Sequence, residues 1–104
     1  MHFSVVLSAL PILVGSFVNA DLHREGLCVD EVGGQYVYNA DATTKACDAY
    51  LNRNTGDQQW DTCADCKMTE VGKLNLCQSL GNHIGGDELN YYCKENGAGN
   101  SLAS

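Results

Sequence analysis

The sequence predicts an α+β fold: a small antiparallel sheet of three to four strands, stapled by disulfides, with two helices packed on one face. Three observations lead there. Six cysteines fall in a chain of 104 residues, all of them downstream of an apolar N-terminal segment. Two stretches carry a helical stripe with a cysteine on it, and the stretches around them are short, β-prone and bounded by glycine. A chain of this size buries too little apolar surface to offset the entropy of ordering it, so covalent staples must supply the difference.

Residues 1–20, MHFSVVLSALPILVGSFVNA, contain no Lys, Arg, Asp or Glu, and Val18-Asn19-Ala20 sets small residues at the two positions a signal peptidase reads. A secretory signal peptide cleaved after Ala20 is expected. As a membrane span the apolar run of about 16 residues falls short of the roughly 20 required, and Pro11 interrupts it. Removing 20 of 104 residues leaves 84, read as a single disulfide-rich domain over 21–97 and a flexible tail over 98–104.

All 6 basic and 13 acidic residues lie in that mature part, so its net charge is −7. Acidity excludes a phosphate-binding stripe, and with it nucleic acid as a partner. It equally excludes a cationic membrane-disrupting peptide, which sets Lys and Arg opposite an apolar face. The charge is read as keeping a secreted, extracellular monomer soluble. No N-x-[ST] sequon is present.

The elements follow in order. Leu27–Val29 and Gln35–Tyr38 flank Gly33-Gly34 and predict a hairpin or bulged strand, with Tyr36 and Tyr38 on one face. Asp41 to Asn52 is the clearest helix. Its stripe is Ala42, Ala46, Cys47, Tyr50 and Leu51, capped by Asn39 or Asp41 and helped by an Asp41–Lys45 pair. RNTGDQQ (Arg53 to Gln59) reads as an exposed turn. Lys67 to Val71 reads as a strand, and Lys73 to Leu80 as a strand leading into a glycine loop. Asp87 to Asn96 predicts the second helix, with Leu89, Tyr92 and Cys93 inside and Gly97 after its end. Ala98 to Ser104 is read as tail. An echo runs through the chain: Cys28 and Cys77 each precede a Gly-Gly and then a cysteine-bearing helix, suggesting two similar β–α halves with WDTCADCKMTEV between them.

Chemistry centres on WDTCADC, which holds Cys63 and Cys66. A redox pair of the C-x-x-C type would open a helix in a βαβ unit, whereas a strand follows here, and Asp61 and Asp65 oppose thiolate formation. Zinc would need a second ligand pair, and His83 stands alone. The favoured reading makes Cys28, Cys47, Cys63, Cys66, Cys77 and Cys93 all structural, with Cys63 and Cys66 bonded to different partners. Ser79 and His83 form the one Ser–His pairing available, without an identifiable third member. Asp57, Asp61 and Asp65 recur every four residues, but the calcium-loop pattern is absent. No enzyme activity, metal or cofactor is therefore expected. Arg53, Trp60, Tyr36, Tyr38 and Tyr91 are the candidates for a contact surface, since exposed aromatics and arginine concentrate at interfaces.

The signal ending VNA, the acidic mature chain, the six cysteines and the segments VGGQYVYN and IGGDELNYYCKENGA resemble small secreted cysteine-rich proteins of filamentous fungi, many of them effector candidates. The ordering of elements is similar to the killer-toxin-like α/β sandwich of some effectors, and that likeness implies a final strand drawn from GAGNSLAS. The resemblance implies a secreted, non-enzymatic, virulence-type protein that binds a host or competitor protein. The alternative is an inhibitor or toxin that presents Arg53 on the 53–60 loop to an enzyme. A weaker reading is carbohydrate bound through Trp60 and the tyrosines.

Overall fold

The structure is a computed structural model that describes residues 22–104, so the expected signal peptide lies outside the described residues. The elements run β1 (Leu22–His23), β2 (Glu25–Val32), β3 (Gln35–Tyr38), α1 (Ala40–Leu51), β4 (Lys67–Val71), β5 (Leu74–Gln78), β6 (Ile84–Gly85), α2 (Gly86–Glu95) and β7 (Asn100–Ala103). The α+β class is as expected. The sheet, however, has five antiparallel strands rather than three to four, and β1 and β6 form a separate two-stranded ribbon.

The long strand β2 organises the sheet. Gly26 pairs with both Cys77 and Ala103, and Val29 pairs with both Tyr38 and Asn100. A strand has one hydrogen-bonding partner per edge, so β5 and β3 share one edge of β2, end to end, and β7 takes the other. In the gap between β5 and β3, the buried backbone of Cys28, paired by neither strand, is met by the start of α1. Its N–H donates to Thr43 Oγ1 at 2.8 Å, and its carbonyl accepts from Asn39 N at 3.0 Å. Tyr38 closes the same gap by donating its hydroxyl to the Asn75 carbonyl at 2.6 Å. The hairpin between β2 and β3 turns on Gly33 and Gly34, both at positive φ (57° and 79°), as a two-residue turn of matching twist requires.

Strand alternation decides which face the helices cover. Cys28 and Gly26 point the same way, Cys77 lies opposite Gly26, and Met68 opposite Cys77. On this face Cys28 is bonded to Cys93 of α2, and Cys77 to Cys47 of α1. The strand cysteine of each β–α half is thus bonded to the helix cysteine of the other half. Around these bonds lie Ala42, Ala46, Tyr50, Ile84 and Leu89, all fully buried. Gly26 lets α2 come close, because a Cβ there would run into Leu89 Cδ2 and meet the Leu102 carbonyl at 3.3 Å.

Local chemistry sets the helix ends. Asn39 caps α1, its side chain accepting from Ala42 N at 2.9 Å, and Lys45 pairs with Asp41 at 3.1 Å. After α2, Gly97 at φ 93° allows Ala98 N to reach the Cys93 carbonyl (2.9 Å) and Gly97 N the Lys94 carbonyl (3.1 Å), a Schellman turn.

That turn corrects the expectation of a flexible tail over 98–104. It sends the chain back along β2, where Gly99 N donates to the Val29 carbonyl at 3.0 Å and β7 pairs from Asn100 to Ala103. NSLA is a weak strand former, yet Asn90 of α2 donates to Asn100 Oδ1 (2.8 Å) and Ser101 Oγ (3.0 Å), and the free edge of β2 supplies the ladder. Tertiary partners override propensity here.

Candidate functional site

The opposite face of the sheet has no helix packed on it among the described residues. Counting the registers outward, it presents Leu27 and Val29 of β2, Tyr36 and Tyr38 of β3, Leu74 and Leu76 of β5, Thr69 and Val71 of β4, and Leu102 of β7. Leu27 and Val29 are buried, whereas Leu74, Leu76 and Leu102 are half-exposed, and Tyr36 and Val71 are 39% and 41% exposed. A polar rim frames this apolar centre: Gln78 donates to Glu25 Oε2 at 3.2 Å at one end, and Asn100 to Glu31 Oε2 at 3.4 Å at the other. Apolar centre and polar rim are the ordinary anatomy of a protein contact surface.

The five residues expected to form a contact surface are split by the fold. Tyr36 lies on the face opposite the helices, whereas the Tyr38 hydroxyl is turned into the gap between β3 and β5. Tyr91 stands 56% exposed on α2, edge-on to Tyr92 at a centroid distance of 5.1 Å. Arg53 lies 5.9 Å over the Tyr92 ring and 3.6 Å from Asp61, so its guanidinium is engaged within the chain. Trp60 is half-buried against Gly85, and its carbonyl accepts from the Tyr50 hydroxyl. That hydroxyl also reaches the His83 carbonyl at 3.1 Å and accepts from Gly85 N at 3.0 Å, and burial pushes its pKa up to about 12. No single aromatic platform joins Trp60, the sheet tyrosines and Tyr91. What the sequence reading missed is the set of aliphatic side chains on the same face as Tyr36. The alternation of Leu74 and Leu76 already signalled them.

The cysteines bring a second correction. Cys63 and Cys66 are bonded to each other, not to separate partners. The reason lies in the crosswise pairing of the other four, which ties both helices to the sheet and leaves the connector cysteines three residues apart in a tight turn, with Cys66 N donating to the Cys63 carbonyl at 3.1 Å. No described cysteine is free.

Around this turn two loops are clasped together. Asp65 Oδ1 accepts from Ser79 Oγ at 2.7 Å and pairs with His83 Nδ1 at 3.0 Å, while Asp65 Oδ2 accepts from Gly81 N at 2.8 Å. Burial would raise the Asp65 carboxyl, but these bonds and the His83 charge outweigh it and hold it at about 2. Ser79, His83 and Asp65 meet, yet not as a nucleophilic relay. The buried Ser79 hydroxyl gives its proton to Asp65 and accepts from His83 N at 2.9 Å, with His83 Nδ1 3.4 Å away. Asp57 and Asp61 lie outside the cluster; Asp61 binds Gln58 N at 2.9 Å and organises the 53–61 turn.

No helix among the described residues is long and apolar enough to cross a membrane. No curated protein and no solved structure matches the chain, so the killer-toxin likeness rests on the order of elements alone. A family model does match, over residues 21–101, and its description is biotrophy-associated secreted protein 4. With four-fifths of its length inside that match, the chain belongs to the biotrophy-associated secreted protein 4 family, whose members are secreted.

Proposed function

We propose that the chain is a non-enzymatic effector that binds a host or competitor protein through the bare face of its sheet. The observation that carries this reading is the uneven cover of the sheet: two helices bonded over one side, an apolar patch inside a polar rim on the other. Family membership supports a role at the boundary with living host tissue. The match begins at residue 21, the position that cleavage after Ala20 would make the new N-terminus, in keeping with export of an 84-residue mature form (104 − 20). The inhibitor reading draws less support, because Arg53, its basic anchor, is turned onto Asp61 and Tyr92.

The test is capture of proteins from host tissue by the mature chain and by two variants. Leu74→Asp/Leu76→Asp places charge at the centre of the patch, and Tyr91→Ala alters the helix side. Both are first checked for native disulfides and circular dichroism. Loss of the captured protein with the sheet variant alone supports the reading. Loss with Tyr91→Ala alone sinks it.

A further inference from the structure

The sequence left His83 as an isolated potential ligand, but the fold carries it to the C-x-x-C turn. One donor atom from each of Cys63, Asp65 and His83 lies within 4.8 Å of the other two, and Cys63 Sγ is 3.7 Å from Asp65 Oδ1. Cys66 is held at the same point by its bond to Cys63. Three donors of the kinds zinc prefers (one sulfur, one imidazole, one carboxylate) therefore converge, and the bond to Cys63 keeps a second sulfur beside them.

We propose that this cluster is a redox-gated site for a soft divalent cation of the zinc class, closed while Cys63 and Cys66 are bonded and opened by thiol reduction. Two external thiols reduce the bond: one attacks a sulfur to form a mixed disulfide, the other releases it, giving one external disulfide and two protein thiols. The cation then displaces one proton from each thiol and binds both thiolates, His83 and Asp65.

Three features besides the convergence suit the site to this use. Its ligands are already oriented: Ser79 Oγ and Gly81 N hold the Asp65 carboxylate, and Ser79 Oγ accepts from the His83 backbone N. Such outer partners are what fix ligands around a metal. A cavity of about 340 Å³ lined by Ala64, Asp65, Cys66, Lys67 and Leu80 opens beside Cys66 and gives reductant and cation a way in. Opening the bond also costs the fold little, because it closes a turn of only three-residue separation, whereas the bonds at separations 65 and 30 hold helices to sheet.

A competing fate is built in. One Sγ each from Cys47, Cys66 and Cys77 lie within 4.8 Å of one another, so a Cys66 thiolate can attack the Cys47–Cys77 bond. The experiment must separate the two. The oxidised mature chain is titrated with a phosphine reductant, its pairings are mapped by mass after thiol blocking, and Co²⁺ and then Zn²⁺ are added without oxygen. The proposal expects Cys63–Cys66 to open first and the other pairs to persist. It also expects one Co²⁺ per chain with the tetrahedral thiolate spectrum, displaced by Zn²⁺, and no binding before reduction. His83→Gln and Asp65→Asn each weaken binding tenfold or more, and Cys63→Ala/Cys66→Ala abolishes it with the fold intact. The proposal fails if the reduced chain binds no metal, if both ligand variants bind like the parent, or if reduction moves Cys66 onto Cys47 or Cys77.

Discussion

Removing each disulfide in turn separates the bonds that hold the fold from the one that does not. Replacing both members of a pair with alanine truncates side chains that are at most 3% exposed in every case, so the packing loss is comparable across the three variants. What differs is the loop each bond closes: separations of 65, 30 and 3 residues. The chain-entropy relation then assigns about 4.3, 3.7 and 1.6 kcal/mol at 25 °C to Cys28–Cys93, Cys47–Cys77 and Cys63–Cys66. For a domain of this size the gap of roughly 2.7 kcal/mol between the extremes corresponds to a melting difference of about 10–20 °C. Thermal unfolding by circular dichroism, with the two remaining bonds verified by mass, measures it. Equal melting temperatures in the three variants, or the greatest loss in Cys63→Ala/Cys66→Ala, would refute the assignment of holding and non-holding bonds.

Tyr50→Phe strips the hydroxyl from the partly buried Trp60 and His83 carbonyls and the buried Gly85 N, and is expected to cost about 1–3 kcal/mol in urea unfolding, chiefly by leaving the Gly85 N–H unsatisfied. Asp65 sets a pH dependence. Its folded pKa of about 2 lies below the ordinary 3.8, so its contribution is complete above about pH 5 and is lost as pH falls toward 2. The full lowering would correspond to roughly 2.4 kcal/mol, and screening at a side chain 39% exposed reduces the working figure to about 1 kcal/mol. Asp65→Asn should therefore unfold at lower urea than the parent at pH 5 and at the same urea near pH 2. Gly26→Ala should destabilise by about 1–3 kcal/mol, read by the same unfolding, by driving a methyl into Leu89. Ending the chain after Gly97 removes β7 and bares an edge of β2, so the truncated protein should lose amide protection at Leu27 and Val29, whereas a chain with a loose tail would be indifferent.

What could be read from the sequence was whatever local chemistry decides. Asn39 and the Asp41–Lys45 pair mark the start of α1, the glycine pair marks the hairpin, and Gly97 marks the end of α2. Leu74 and Leu76 showed their common face without saying what lay across from it. The failures share one cause. β7 is a strand because Asn90 and the edge of β2 make it one, and neither is visible in NSLA. The bond between Cys63 and Cys66 follows from how the other four cysteines cross between the halves, which spacing does not reveal. The Asp65, Ser79 and His83 cluster needs two loops side by side; the sequence offered Ser79 and His83 only as a pairing without a third member.

The bare sheet face as the site of partner binding is tested most directly by position-specific photocrosslinking in host tissue, with the reactive side chain placed at Leu76 on that face or at Tyr91 on α2. Leu76 should yield a covalent adduct with a single host protein that competes with unlabelled mature chain, and Tyr91 should yield none. Adducts from Tyr91 with none from Leu76 would contradict it.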